Sequence, residues 1–268
     1  MRYAFFFEFC EREWLPEWLR ADLFLSLSWV QDAFGLKRVL SETVPRFVRE
    51  SGARRVVELG SGSGEGLRLV AQGLLHEKIT LLATDKFPNP KAWRKRLNGV
   101  ASYVEHPICF EDFSRTLVFA EDQSSVIFLS AAFHHIPPQK VRRFLEDCAR
   151  INASVLIVEP LERRFRDMFL ASLLFLPALV TPIALRKISF LRRLRLVALH
   201  WVMPVIPLIL AHDGVVSALR QRTRNDLEKL TKSLPYEMIT ENGLGVFGTY
   251  SVVLLRLVSN RTVVPVES

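Results

Sequence analysis

The sequence predicts an α/β fold: a doubly wound, seven-stranded, mostly parallel sheet with an antiparallel last strand, helices at the N-terminus and an apolar helical insertion. Three observations predict it. Short apolar runs alternate with helical stretches over residues 54–159, the first run ends in a glycine-rich turn, and two strand-like runs near the C-terminus flank three glycines. Apolar runs separated by helices mark strands covered on both faces, because each crossover lays a helix on the sheet.

Residues 1–53 read as a helical lead-in. Trp14, Leu15, Trp18 and Leu19, then Leu23, Phe24 and Leu27, recur at three- and four-residue spacing, which gathers them on one helix face. The period then changes. Val56, Val57 and Leu59 form the first strand, and a helix follows over 65–75. Further strands fall over 79–84, 101–105, 126–130 and 155–159, with helices over 90–97 and 138–150. The helical period resumes over 224–234, and strands over 236–240 and 250–258 close the chain. Gly243, Gly245 and Gly248 lie between these two, which makes them a hairpin and an antiparallel pair at the sheet edge.

At 268 residues the chain suffices for one large α/β domain carrying an insertion. Its composition is apolar, 49% hydrophobic with a mean hydropathy of +0.17, although 24% of residues are charged. The excess lies after residue 159. No charged residue occurs over 168–185 or 196–211, and Arg186, Lys187, Arg192, Arg193 and Arg195 sit between these stretches. A bilayer span needs about twenty apolar residues; both stretches are shorter, and Pro177, Pro182, Pro204 and Pro207 interrupt them. A lid over a lipophilic ligand, an interfacial membrane patch and a dimerisation layer are the three uses open to them. The basic cluster favours a lid that also associates with a membrane surface through residues 165–212, since anionic headgroups attract such clusters by roughly 1 kcal/mol per charge. The net charge of +8 by itself suits nucleic acid, an anionic membrane or an acidic substrate equally. Cys10, Cys109 and Cys148 form no CxxC pair, so reduced thiols in a cytoplasmic setting are expected rather than disulfides or structural metal. Residues 1–10 are broken by Glu8 and followed by Glu11, Arg12 and Glu13, unlike a secretory signal.

The segment Val56-Val57-Glu58-Leu59-Gly60-Ser61-Gly62-Ser63-Gly64 runs from a strand through a glycine turn into a helix. Missing β-carbons let the backbone take positive φ and let a nucleotide-like ligand come close at the carboxyl end of the sheet. The glycine spacing departs from the dinucleotide fingerprint, and Glu65 stands where a phosphate loop needs lysine. Glu58 is the second clue. A carboxylate before the turn repels a pyrophosphate and suits a cationic ligand bearing an ammonium and a sulfonium. Asp85, at the end of the second strand, is placed to accept hydrogen bonds from both ribose hydroxyls, or to cap the next helix.

Glu58-x-Gly60-x-Gly62-x-Gly64 resembles motif I of class I S-adenosylmethionine-dependent methyltransferases, a Rossmann-like family, with Asp85 where that family keeps its ribose-binding acid. The resemblance covers residues 54–159, and the terminal hairpin matches the family's antiparallel seventh strand. It implies S-adenosylmethionine as cofactor, held at its methionine end by Glu58, Gly60, Ser61, Gly62 and Gly64 and at its ribose by Asp85 with Lys86. Ser130, at the end of the fourth strand, joins this set. The family's acid-containing adenine loop is replaced by His106-Pro107-Ile108-Cys109-Phe110 ahead of Glu111 and Asp112. Ile108 and Cys109 are therefore expected to line the adenine pocket, with Asp112 as the alternative polar partner. Trp14-Leu15-Pro16-Glu17-Trp18-Leu19-Arg20, Thr84-Asp85-Lys86-Phe87-Pro88-Asn89, Phe133-His134-His135-Ile136-Pro137-Pro138 and Asp213-Gly214-Val215-Val216-Ser217-Ala218-Leu219-Arg220 are similar to segments of a group of little-characterised bacterial methyltransferases.

On this reading residues 54–162 are the cofactor-binding core, 163–222 the apolar helical insertion or lid, and 223–268 the C-terminal helix and hairpin that complete the core. His134 and His135, just past the fourth strand, face the acceptor position of class I enzymes; either can take a proton from a hydroxyl or phenol, or simply pack the turn before Pro137. Glu159 borders the same region or satisfies local backbone. The expected reaction is methyl transfer to oxygen or carbon of a small or medium lipophilic acceptor. A nucleic-acid methyltransferase is disfavoured because no Asn-Pro-Pro-Tyr-like motif for an extruded base follows the fourth strand. A catalytically inactive cofactor-binding or membrane scaffold module is the third reading. The sequence does not set the oligomeric state.

Overall fold

The computed structural model describes residues 7–33, 35–119, 124–185, 188–244 and 249–258, so Arg186, Lys187, Gly245 and Gly248 lie outside the described residues. The chain divides into two compact units. One comprises the described residues of 36–160, 222–244 and 249–258, and the other those of 1–35 and 161–221. Residues 36–53, which the sequence groups with the first helices, thus belong to the first unit.

The first unit is built on a seven-stranded sheet with strands β1 (Arg55–Leu59), β2 (Thr80–Thr84), β3 (Ser102–Tyr103), β4 (Ser125–Ser130), β5 (Ala153–Glu159), β6 (Tyr236–Leu244) and β7 (Thr249–Leu257), in the order β3-β2-β1-β4-β5-β7-β6. β1 pairs parallel with β2 and β4, β4 pairs parallel with β5, and β7 runs antiparallel to both β5 and β6. β3 is shorter than its apolar run predicts. It is an edge strand held only by β2, through Leu82 opposite Ser102 and Ala83 opposite Tyr103, and short edges limit unpaired backbone.

Alternation along each strand sends side chains into two cores. Val56, Phe128, Leu156 and Leu254 join Phe47, Val70 and Trp93 on one face; Val57, Leu59, Ile127, Leu129 and Ile157 join Phe113, Phe133 and Phe144 on the other. Glu58 shares the parity of Val56, so its carboxylate is directed to the face covered by the helix Glu65–Gly73. Helices Pro90–Leu97 and Pro138–Arg150 start where expected because proline at the first turn presets the helical φ and loses no hydrogen bond there.

The second unit is helical. Its helices are Glu17–Ala33, Phe165–Ser172, Phe175–Ala184, Phe190–Val197 continued by a wide π turn Ala198–Val202, and Val205–Arg220. Leu15, Leu23, Ala178, Leu196, Ile206 and Leu210 form its core. Asp22, fully buried, accepts from Arg192 and Arg195 and so ties the first helix to the fourth. Among the described residues no single helix is long and apolar enough to cross a membrane; two bent pairs, 165–184 and 190–220, have the length and composition together but turn by 41° and 67°.

Candidate functional site

The polar residues singled out in the sequence lie where β1, β2, β4 and β5 end, the edge at which open α/β sheets bind ligands. Gly60, at φ +81°, turns the chain so that its amide and that of Ser61 both donate to the Thr84 carbonyl, at 3.0 and 2.9 Å. A β-carbon on Gly60 would come within 3.1 Å of Ala132, so the approach of β1 to the segment after β4 also requires glycine. Ser61 locks the turn further. Its hydroxyl donates to the Glu58 carbonyl and accepts from the Thr84 amide.

Asp85 closes the turn from the other side. Its Oδ2 accepts from the Gly62 amide and its Oδ1 from the Phe87 amide, each at 2.7 Å. Lys86 is exposed beside it, its ammonium 5.1 Å from the Phe87 ring. The Ile108 amide donates to the Asp85 carbonyl at 2.9 Å, which brings the Ile108-Cys109 segment next to the end of β2. Asp112 precedes the short helix Phe113–Thr116.

Glu58 is buried behind the turn. Among the described residues its Oε2 has no hydrogen-bond partner, and Gly66 makes room for its Oε1, which would sit 2.8 Å from any β-carbon there. Burial raises its carboxyl to about 7, with the charge of Asp85 adding to the rise, and the Ser61 side chain and Leu67 amide oppose it.

Ser130 ends β4, and Ala131 follows at φ +49°, a left-handed conformation costly for alanine. The Ala131 amide donates to the Val158 carbonyl at 2.8 Å, which holds that bend. His134 is buried. Glu159 accepts from its backbone amide at 3.2 Å and from its Nδ1 at 3.0 Å. With Nδ1 carrying the proton, Nε2 is the basic nitrogen. The His135 ring packs 4.1 Å from that of His134.

Tertiary contacts add residues that the sequence reading did not single out. Trp93 donates its indole N–H to the Gly62 carbonyl at 3.1 Å. Phe110 reaches within 3.7 Å of where a Gly60 β-carbon would be. Arg222 donates to the carbonyls of Phe133 and Ile136 and stacks 4.8 Å from the Phe133 ring, stapling the histidine turn. His134 and Glu159 each carried a signal, a place at or just past a strand end, but their pairing did not.

No family model matches the chain, and no curated protein matches it by sequence. Solved structures do match. An O-methyltransferase family protein from Burkholderia thailandensis superposes with a TM-score of 0.53 and 16% identity, over 91% of this chain and 61% of that one. Human N-acetylserotonin methyltransferase, solved in complex with SAM, superposes with a TM-score of 0.50 and 15% identity, over 87% of this chain and 56% of that one. The chain has the class I methyltransferase fold. It spans less than two thirds of the length of either neighbour. Within this methyltransferase fold the glycine turn, Asp85, Ser130 and the His134–Glu159 pair occupy one edge of the sheet, while Lys86 and Cys109 lie in the loops beside it.

Proposed function

We propose that the chain transfers a methyl group from S-adenosylmethionine to oxygen or carbon of a small or medium lipophilic acceptor, met in the cytoplasm or at a membrane surface. The observation that carries this reading is the turn after β1, in which Asp85 holds the Gly62 amide while the buried Glu58 keeps one oxygen without a partner among the described residues. These residues fit the cofactor. Glu58 offers buried negative charge to a cationic ligand, and the oxygens of Asp85 can each accept more than one hydrogen bond, so ribose hydroxyls can share them with the backbone. A β-carbon on Gly62 would meet nothing within 4 Å, so the backbone there is open to close approach. Gly60, Ser61 and Gly64 would border the methionine end, Lys86 the ribose, Ile108 and Cys109 the adenine, and Ser130 the space between cofactor and acceptor.

When bound, the cofactor supplies an electrophilic methyl group on sulfur. The chain's own part is to hold the acceptor in line and, for a hydroxyl, to take its proton. His134 is the proposed base. Glu159 fixes its tautomer through Nδ1 and orients the ring, with Arg222 and the strained Ala131 holding the turn in place. The likeness to two methyltransferases supports this reading through the fold.

Calorimetric titration with S-adenosylmethionine and S-adenosylhomocysteine tests it. Both should bind, and Asp85→Ala should weaken binding by about tenfold or more, the worth of a charged hydrogen-bond acceptor. His134→Gln should leave binding intact and lower kcat by about a hundredfold or more. Absence of binding to the unaltered chain overturns the proposal. With labelled cofactor, transfer into a lipid extract is expected; transfer into RNA would identify a nucleic-acid methyltransferase, and binding without transfer an inactive module.

A further inference from the structure

The helical unit keeps its large apolar side chains on the outside. Among the described residues, fifteen of the eighteen large hydrophobics left exposed belong to it, and only Leu75, Val100 and Val118 lie elsewhere. They are ordered along the helices. Phe165, Phe169, Leu173, Leu176, Val180 and Ile183 follow one another at three- and four-residue steps, so they share one side of the bent pair 165–184. Phe190, Leu191, Leu194, Trp201 and Val202 are exposed along the second pair.

The two pairs are knit together. The Trp201 indole donates to the Leu179 carbonyl at 2.7 Å, beside Val180, and Arg193 donates to the Leu185 carbonyl at 2.9 Å, beside Ile183. The Arg195 guanidinium lies 5.2 Å from the ring of Trp18, another exposed aromatic. Isolated exposed leucines are ordinary, but adjoining exposed rows on neighbouring helices mark an interaction surface.

Charge identifies the partner. The helical unit, residues 1–35 and 161–221, holds twelve lysines and arginines against nine acids, and its basic surplus gathers in 168–212, which carries five. No acid occurs over 168–212. A second copy docked through the same face would bring this basic segment against itself, whereas anionic headgroups neutralise it. The 41° and 67° bends and the short helices favour lying in the interface over crossing it.

We propose that this face docks in the plane of an anionic lipid bilayer, with its phenylalanine, leucine and tryptophan side chains at the acyl boundary and its arginines among the headgroups. The inference goes beyond methyl transfer and needs no cofactor.

Flotation of the full chain with phosphatidylcholine–phosphatidylglycerol vesicles, and with phosphatidylcholine vesicles, tests it. The chain should float with the mixed vesicles and partition into them about tenfold or more better than into neutral ones. Tryptophan emission should shift to the blue, since Trp14, Trp18 and Trp201 are exposed. Phe165→Ser/Phe169→Ser and Phe190→Ser/Leu191→Ser remove only exposed side chains and should keep the unaltered melting profile while lowering partition about tenfold or more. A chain that stays in the soluble fraction with both kinds of vesicle overturns the proposal. So does a concentration-dependent dimer in sedimentation that the same variants dissociate, which would assign the face to a second copy. Cofactor titration is a separate readout, so failure here leaves the methyl-transfer reading standing.

Discussion

In the sheet unit most large apolar side chains point inward, and of its buried titratable groups Glu58, Asp85, His134 and Glu159 collect at the ends of the strands, while Asp147 and Cys148 lie on the helix Pro138–Arg150. In the helical unit the arrangement is close to the reverse. Phe165, Phe169, Phe190 and Leu191 face outward, while Asp22 and His200 are fully buried and Asp213 and Arg20 nearly so. Buried charge therefore serves different ends in the two. In the sheet unit it is concentrated where a ligand can use it. In the helical unit buried polar groups, charged and neutral, link one helix to another: Asp22 to Arg192 and Arg195, Ser26 to His200 at 3.2 Å, and Asp213 to the amides of Phe9 and Cys10. A unit that turns its apolar surface outward has fewer apolar contacts to hold it, and directional polar ties replace some of them.

The largest effect expected in the helical unit follows from removing such a tie. Asp22→Ala should destabilise the helical unit by about 3 kcal/mol, because both arginine hydrogen bonds to a fully buried carboxylate are lost, each worth roughly 1.5–3 kcal/mol and offset in part as the exposed guanidinium faces regain water. Hydrogen exchange would locate the loss. Amides of 17–33 and 190–202 should exchange faster while those of β1, β4 and β5 keep their protection. Equal loss in both units would mean that they unfold as one block, and the contrast between them would fail.

The sheet unit should answer with the opposite sign. Glu58 ionises at about 7 in the folded chain against an ordinary value of 4.5, so the folded state binds the proton more tightly than the unfolded one. Stability is then full below about 4.5, falls as pH rises to about 7, and stays reduced above it. Glu58→Gln should remove this dependence and stabilise the chain at pH 8 by on the order of 3 kcal/mol, read from chemical denaturation across pH. The same substitution should weaken S-adenosylmethionine binding. In the unaltered chain that binding should strengthen as pH rises toward about 7, because a cationic ligand favours the ionised carboxylate. Unchanged stability of the Glu58→Gln variant at pH 8 would show that Glu58 is not held dry.

What could be read from the sequence divides along the same line. Strand and helix positions in the sheet unit were legible because a buried parallel sheet imposes continuous apolar runs, and because proline at the starts of Pro90–Leu97 and Pro138–Arg150 punctuates them. The placement of Glu58, Asp85, Ser130 and Glu159 at strand ends followed from the same runs. Trp93, Phe110 and Arg222 were not legible. Each acts through a contact distant in sequence, such as the 86 and 89 residues between Arg222 and the carbonyls it holds, and no local pattern encodes that. In the helical unit, helical periodicity announced the helices but not which face is covered, since a segment apolar all round has no polar side to orient it. The grouping of residues 36–53 with the sheet depends on contacts of Val44, Phe47 and Val48 with that core, again invisible locally.

The smallest expected effect sharpens the contrast furthest. Phe190 is 72% and Leu191 77% exposed, so replacing both by serine removes little packing and should change stability in water by no more than about 0.5 kcal/mol per site. Phe128 in β4, with no exposed surface, should cost about 3–5 kcal/mol when cut to alanine, through lost burial and the cavity left behind. Two aromatic residues in one chain thus differ severalfold in what they contribute to folding, and thermal denaturation of the two variants side by side reads the difference. Should Phe190→Ser/Leu191→Ser prove as damaging as Phe128→Ala, those side chains are buried in solution, and the apolar face of the helical unit is already occupied by protein.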